Sequence, residues 1–305
     1  MRRAGTTLLS LLTLTGVAAA QTHDPAPLVL LLPAGTRALG VGNAFVAGRG
    51  SEVLFYNPAQ MFILRGTTLS VERFGSASTL GTLSTVGPFG KVSLGVGVQY
   101  LDYHALPAVP FFTQPAALTL QGPVNSSSLA ATLALAVRWK GMRFGVAGKY
   151  LEEHIGELRD RGAAFDLGVA RDVMRGTVGL SVQNLGSDLR LLDQEGALPT
   201  RVTLGAVLPT VLVSSYFDFT GFAAVSRERD GRIVPGGGVE LIYQPVDGWT
   251  FIGRAGARRV RDLPVRAESP VTVGASFGLD RLWIDYAFQP YRGPGSAHRF
   301  AIRIQ

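Results

Sequence analysis

Apolar and polar residues alternate along most of the chain after residue 66. Between residues 92 and 100, valine, leucine and tyrosine alternate with serine, glycine and glutamine, and the same period of two recurs at 177–183, 271–279 and 299–305. A period of two predicts β-strands that have one apolar face and one small or polar face. The pattern therefore predicts an all-β fold.

Turn residues divide this region into about fourteen predicted strands. A strand of about ten residues, tilted by about 40°, spans about 25 Å, which matches the apolar band of an outer-membrane barrel. The predicted spans are 67–74, 78–86, 91–103, 127–139, 142–153, 162–171, 175–184, 200–209, 213–226, 233–245, 249–259, 269–279, 281–290 and 297–304.

The predicted connections alternate between long and short, with one exception at 75–77. The long ones are 104–126, 154–161, 185–199, 227–232, 260–268 and 291–296, and the short ones are 87–90, 140–141, 172–174, 210–212, 245–248 and 280. Short periplasmic turns and longer external loops are typical of transmembrane barrels. We therefore predict a transmembrane antiparallel β-barrel whose first strand starts on the periplasmic side.

Charged residues within the strands fall on the face that is not apolar. An arginine or lysine that faces lipid at mid-depth costs about 2–4 kcal/mol. We therefore expect these side chains to line a polar lumen, where opposite charges can pair. They are Lys149, Asp166, Glu240, Arg254, Arg258, Asp285, Arg299 and Arg303.

The segment 33–65 lacks the alternation. Its Gly40-Val41-Gly42 resembles part of a dinucleotide-binding loop, but Phe45 stands where the third glycine would be. Asn57 can cap a short helix that has Pro58 at its first position. Because the segment is too small and too apolar to fold alone, we predict that residues 21–65 form a hatch, a plug in the periplasmic end of the barrel.

The first twenty residues have the three parts of a secretory signal peptide. Arg2 and Arg3 precede an apolar stretch at 8–17, and three alanines predict cleavage near Ala20. No later apolar run reaches the 18 residues of a membrane-spanning helix. The predicted organisation is a signal peptide at 1–20, the hatch at 21–65 and the barrel at 66–305, in the outer membrane of a Gram-negative-type bacterium.

Composition removes several classes of function. The 305 residues include no cysteine, which excludes disulfide and zinc–thiolate scaffolds. The net charge of +7 is typical of nucleic-acid binding, but the arginines are scattered, with no basic run longer than Arg258-Arg259, so no nucleic-acid partner is predicted. The four histidines lack metal-ligand spacing, and there is neither a nucleophile elbow nor a phosphate loop. We predict no enzymatic activity, no metal and no cofactor.

The connection 104–126 is unusually apolar for an external loop. Loops of this length are usually functional or disordered, and exposed apolar patches mark binding sites. Two interpretations stay open: a landing site for an acyl chain or a partner, or a loop folded inward that constricts the lumen. The candidate residues for ligand or partner binding are Phe111, Phe112 and Leu118.

The hatch sequence resembles the PorV/PorQ group within the FadL-like outer-membrane barrels. The match rests on residues 35–47, which read Gly-Thr-Arg-Ala-Leu-Gly-Val-Gly-Asn-Ala-Phe-Val-Ala, and on Asn57-Pro58-Ala59. Weaker matches lie at 183–186, 198–199, 239–240, 285–288 and 298–299. The resemblance implies a fourteen-stranded barrel with an N-terminal hatch, and the chain departs from the usual pattern in ending on Gln305 rather than an aromatic residue.

The resemblance implies two functions. FadL-type members are passive transporters of hydrophobic compounds such as long-chain fatty acids, and PorV-type members are shuttle or scaffold components of type IX secretion. We predict that the barrel lies in outer-membrane lipid and passively transports a fatty-acid-like ligand, which is captured near Phe111 and Phe112. The alternatives are a protein-binding role in type IX secretion or envelope assembly, and a barrel without transport. The residues assigned to the hatch and its gate are Arg37, Gly40, Gly42, Asn57, Pro58 and Ala59.

Overall fold

The strands of the barrel are seen in a computed structural model that describes residues 27–74, 78–105, 124–191, 194–260, 269–291 and 296–305. In chain order they are β1 (Gly66–Phe74), β2 (Ser78–Phe89), β3 (Val92–Ala105), β4 (Val124–Trp139), β5 (Met142–Ile155), β6 (Leu158–Val173), β7 (Gly176–Gly186), β8 (Leu189–Leu191), β9 (Gln194–Gly196), β10 (Arg201–Val207), β11 (Val211–Leu212), β12 (Phe217–Glu228), β13 (Ile233–Val246), β14 (Trp249–Arg258), β15 (Val271–Leu279), β16 (Leu282–Pro290) and β17 (Ser296–Ile304).

Within these ranges, fourteen strands pair with their neighbours in an antiparallel ring. β1 pairs with β17, and β10 pairs with β12, so the sheet has no free edge. β8 and β9 form a separate hairpin, and β11 adds two residues beside the start of β12. The predicted all-β antiparallel barrel is confirmed.

Three predicted connections differ from the structure. The link expected at 154–161 is a turn of two residues, because β5 and β6 continue to Ile155 and Leu158 and Gly156 adopts a φ of 62° that permits the tight reversal. The link at 185–199 contains the β8–β9 hairpin. The strand expected from 213 begins at Phe217, so the connection before it is longer than predicted. The gap between β10 and β11 contains Pro209, which has no N–H for the ladder.

The alternation along the strands is inverted relative to a soluble protein. In β1 the side chains of Leu69 and Val71 point outward and are about half exposed (54% and 49%), whereas Ser70 and Glu72 point inward and are buried. An apolar outer face and a polar interior are the arrangement of a transmembrane barrel. In the part of the chain that the structure describes, no helix is long and apolar enough to cross a membrane.

Two ends of the barrel are distinguished by their connections. The short turns at 90–91, 140–141, 174–175, 247–248 and 280–281 lie at one end, which we take as the periplasmic end. Residues 27–65 lie inside the barrel and contain the short helices Leu28–Leu30, Thr36–Gly40 (α1), Ser51–Phe55 and Pro58–Ile63. Most of their side chains are buried against the inner wall, so the core of the protein is the interface between this segment and the barrel.

Candidate functional site

The hatch divides into two parts that contact the wall differently. We call residues 28–32 the apolar segment and residues 34–63 the hatch core. The apolar segment lies in the extracellular half of the lumen, where Val29, Leu30 and Leu32 are buried. The hatch core lies closer to the periplasmic end, directly before β1 begins.

A pocket of aliphatic and aromatic side chains surrounds the apolar segment. Its walls come from the extracellular ends of strands around the barrel and from Leu198, which precedes β10. The strand residues are Phe74, Leu80, Leu101, Tyr103, Ala130, Leu151, Ala164 and Ala297. One polar contact to the wall is the 3.3 Å hydrogen bond from the amide of Val29 to the hydroxyl of Ser128. The backbone of Leu28 also hydrogen-bonds to the buried carboxylate of Glu153. The segment is therefore held by apolar burial together with these two hydrogen bonds at its start.

Asn57 joins the hatch core to the wall. Its side-chain oxygen accepts a 3.1 Å hydrogen bond from the amide of Ala59, which caps the helix Pro58–Ile63 as its sequence predicts. Its Nδ2 donates to the carbonyl of Val46 at 2.9 Å and to the carbonyl of Val169 in β6 at 3.2 Å. One buried amide thus fixes two turns of the hatch and one barrel strand.

Glycines on the wall let the hatch backbone approach it. Gly145 of β5 and Gly168 of β6 face Asn57-Pro58-Ala59, and a Cβ on either would overlap hatch atoms. On the opposite wall, Gly256 and Gly238 face the backbone of Val41 and Gly42 in the same way. A barrel strand can approach the hatch backbone this closely only where it has glycine. The hatch core therefore packs between two glycine surfaces, one on each wall.

Gly42 is also constrained by its own conformation. Its φ is 64°, and a Cβ there would overlap the carbonyl of Ala257 in β14. Gly40 is less crowded, since a Cβ would lie 3.2 Å from the Cδ atom of Arg254. Of the two glycines that the sequence assigns to the hatch, the structure therefore gives Gly42 the stricter requirement.

Arg37 starts a chain of buried ion pairs that crosses the lumen. Its Nη2 lies 3.1 and 3.2 Å from the two carboxylate oxygens of Glu240, and its Nη1 donates to the carbonyl of Arg49 at 2.7 Å. Glu240 also accepts a 2.6 Å bond from Arg254. Buried charges are tolerated when they are paired in this way, so the hatch is tied electrostatically to β13 and β14.

The other strand charges pair inside the barrel as well. Asp285 lies 3.8 Å from Arg254 and 3.1 Å from Arg303. Arg299 pairs with Glu72 at 2.9 Å and donates to the carbonyl of Pro33 at 2.6 Å. The structure thus joins Arg37, Glu240, Arg254, Asp285 and Arg303 in one network.

Lys149 and Asp166 form a separate pair. Their Nζ and Oδ2 atoms are 2.7 Å apart, and Lys149 also donates to Asn184 at 2.7 Å. Asn184 has a φ of 58°, and its backbone N–H donates to Asp166 at 2.8 Å. The two residues lie at an irregularity in the β6–β7 pairing, where the register shifts. Lys149 and Asp166 therefore hold this irregularity, whereas the Arg37 network and the Arg299–Glu72 pair contact the hatch. Arg258, also expected in the lumen, is half-buried near the end of β14.

Glu52 and Tyr56 complete the hatch core, and the sequence pattern did not single them out. Glu52 accepts hydrogen bonds from the amides of Arg37 at 3.0 Å and Ala38 at 3.3 Å, at the start of α1. Burial raises its pKa above the ordinary value. Tyr56 accepts from the amide of Ala34 and donates to Asn43, and burial raises its pKa to about 12. The sequence signal for Glu52 is that it is the one acidic residue between residues 33 and 65.

The loop residues Phe111, Phe112 and Leu118 lie outside the described residues. Among the residues that are described, no group of histidine, cysteine, aspartate or glutamate side chains is arranged to hold a metal ion. The candidate site is therefore the lumen itself, with its apolar pocket and its anchored hatch core.

Solved structures share this architecture. The crystal structure of the toluene transporter TodX of P. putida is similar with a TM-score of 0.52 at 11% sequence identity, over 84% of this chain and 92% of that chain. A TodX deltaS2S3 mutant, described as a monoaromatic hydrocarbon channel, gives a TM-score of 0.54 at 11% identity, over 84% of this chain and 93% of that chain. The likeness shows an outer-membrane β-barrel fold with an N-terminal helical segment. No family model and no curated protein matches the sequence, so the resemblance to the PorV/PorQ group stays a prediction.

Proposed function

We propose that this chain is an outer-membrane barrel that passively conducts hydrophobic compounds, such as long-chain fatty acids. The observation that carries the proposal is the apolar pocket in the extracellular half of the lumen, which the chain fills with its own residues 28–32. A concave pocket of aliphatic and aromatic side chains is suited to a linear apolar ligand. TodX, which has the same fold, is described as a toluene transporter.

Entry of the ligand displaces the apolar segment. The ligand replaces the contacts of Val29, Leu30 and Leu32 with its own apolar surface, so little burial is lost in the exchange. Capture near Phe111 and Phe112 remains the predicted first encounter. Passage beyond the pocket then requires a shift of the hatch around Asn57-Pro58-Ala59, where polar bonds to the wall must break.

Substitution of Leu30 tests this exchange. Leu30→Asp places a carboxylate in the apolar pocket, so the segment should leave it, and both binding of a fluorescent fatty acid and its uptake should rise. The matched control is Leu31→Asp, because Leu31 is only half-buried in the same segment and should change both much less. Uptake is measured in cells that lack their own fatty-acid transporter, and lipid-like ligands retained on purification are identified by mass spectrometry.

The alternative has its own outcome. The transport proposal is wrong if three results are found together: no hydrophobic ligand is retained, uptake stays at the level of cells without the barrel, and Asn57→Ala leaves uptake unchanged. Retention of a secretion-system protein in a pull-down under the same conditions would then favour the scaffold function that the PorV-type resemblance implies.

A further inference from the structure

The outer wall of the barrel is indented between β4 and β7. The indentation has a volume of about 330 Å³, within the range of small-molecule pockets, and is almost entirely apolar. Gly145, Gly168 and Ser181 form its floor, and two of these, Gly145 and Gly168, meet the hatch on the inner side of the wall. Its sides are outward-facing apolar side chains of β4 to β7, among them Val137, Phe144, Val169 and Leu180. We call this feature the outer groove.

Strand register places a basic residue at the periplasmic end of the outer groove. Val137, Phe144, Val169 and Leu180 are paired across the four strands as one row of the groove. The next row towards the periplasmic turns is Trp139, Met142, Arg171 and Val178. Arg171 is exposed on the same face as the groove. An arginine on the lipid face is tolerated near the membrane interface, where its cost falls to about 0–1 kcal/mol.

The charges around Arg171 are basic. Lys140 and Arg175 occupy the two adjacent periplasmic turns and are exposed. Among the described residues, Arg171 and Arg175 have no ion-pair partner, and Lys140 lies over the ring of Trp139 at 4.7 Å. The one carboxylate nearby, Asp172, is paired with Arg143 at 2.7 Å. The opposite sector of the same rim instead carries Asp247 and Asp280 beside a single arginine, Arg281.

We propose that the outer groove and its basic end bind an anionic phospholipid of the inner leaflet. One acyl chain lies in the groove, and the phosphate is bound by Arg171 with Lys140 and Arg175 beside it. An arginine binds phosphate oxygens through two parallel N–H groups, and Trp139 is suited to the headgroup level. The unpaired positive charge favours an anionic headgroup over a zwitterionic one. The site lies on the outside of the barrel, so it requires the membrane location but not transport.

Native mass spectrometry of the mature protein in detergent tests the site. The probes are phosphatidylglycerol and phosphatidylethanolamine with identical acyl chains, each added at the same concentration. We expect retention of phosphatidylglycerol to exceed that of phosphatidylethanolamine severalfold. Arg171→Gln should reduce it about fivefold, the factor that corresponds to about 1 kcal/mol per basic residue at an anionic surface. Arg281→Gln, on the same rim in the opposite sector, should leave it unchanged.

A second variant tests the apolar half of the site independently. Val169→Phe fills the outer groove and should lower retention of both lipids, whereas Val273→Phe, on the outer face of β15, should not. Both substitutions face lipid and keep the strand face apolar, so they preserve folding, which heat-modifiable migration verifies. Equal retention of the two lipids by the unaltered protein, or no effect of Arg171→Gln and Val169→Phe, would overturn the proposal. Binding of a soluble acidic protein that depends on Arg171, with no lipid preference, would overturn it as well.

Discussion

The apolar segment and the hatch core lie in the same lumen but are held by different forces. Residues 28–32 lie mainly among aliphatic and aromatic side chains, with hydrogen bonds to the wall at Leu28, to the carboxylate of Glu153, and at Val29, to the hydroxyl of Ser128. The hatch core is held by the Arg37–Glu240 ion pair, by the Asn57 hydrogen bonds and by backbone seated against glycine. The two parts therefore differ in what can replace their contacts.

An apolar ligand can replace one kind of contact and not the other. Under the proposed function, a fatty-acid chain would restore the burial that the wall loses when the apolar segment leaves. It offers no partner to Glu240 or Asn57, and each buried polar group left without one costs about 1–3 kcal/mol. We infer that the apolar segment is the part of the hatch that responds to ligand, and that the hatch core is the frame against which it moves.

The largest effect is expected from Glu240→Leu. The substitution leaves Arg37 without its carboxylate partner and weakens the network at Arg254, and breaking a buried ion pair costs about 3–5 kcal/mol. The chain has no cysteine, so a single introduced thiol reports one position. A thiol at Ala38→Cys, buried in α1, should become reactive in the Glu240→Leu background, whereas a thiol at Leu30→Cys should react as before.

Glu228→Leu is the control for this experiment. Glu228 pairs with Arg232 near the extracellular rim, where both side chains are partly exposed, so its loss should cost at most about 1 kcal/mol. Equal exposure of both reporter thiols in the Glu240→Leu background would show that the two parts of the hatch move as one unit, and the distinction between them would be wrong.

A smaller effect is expected from Gly145→Val. The new side chain meets the backbone of Pro58 and Ala59, so the hatch core must shift, at a cost of about 1–3 kcal/mol for overpacking. Gly148→Val is the matched control in the same strand, because Gly148 faces outward and a Cβ there is 3.8 Å from the ring of Phe165. The temperature at which each variant loses heat-modifiable migration measures the difference. If both variants unfold at the same temperature, the packing of the hatch against Gly145 does not contribute to stability.

The barrel was predictable because its information is local. Alternation and turn residues determine each strand without knowledge of its neighbours, and the predicted and observed strands mostly agree within a few residues. Local signals were insufficient at Gly156, where the polar residues that suggested a loop belong to the paired ends of β5 and β6. Pro209 shows the opposite error. The side-chain pattern predicts a strand to residue 209, but β10 ends at Val207, next to a proline that has no N–H for the ladder.

The partners within the lumen were not predictable in the same way. Alternation assigns Glu240 and Arg254 to the inner face, but the pairing of Glu240 with Arg37 joins residues that are 203 positions apart and depends on how the hatch is seated. The apolar run at 28–32 was visible in the sequence, yet nothing local shows that it lies inside a barrel. Asn57 is intermediate, because its capping role is local and its bond to Val169 is not.

The smallest predicted effect is a pH dependence of the hatch core. Burial raises the pKa of Glu52 above its ordinary value of 4.5, so the folded protein holds this proton more tightly than the unfolded chain does. The stability from the protonated form is complete below about pH 4.5 and is lost as the pH rises through the raised pKa. Glu52→Gln keeps an oxygen to accept from the amides of Arg37 and Ala38 but cannot ionise.

The unfolding midpoint of the unaltered protein should therefore fall, relative to that of Glu52→Gln, as the pH is raised from 4 towards neutrality. The difference between the two proteins isolates Glu52 from the other titrating groups, which both share. A midpoint difference that does not change with pH would mean that the hydrogen bonds to Glu52 and its burial offset each other, so that its pKa is not shifted. A difference that changes in the opposite direction would mean that the hydrogen bonds outweigh the burial. In that case α1 is stabilised by a charged cap, and the hatch core is held even more strongly by electrostatics relative to the apolar segment.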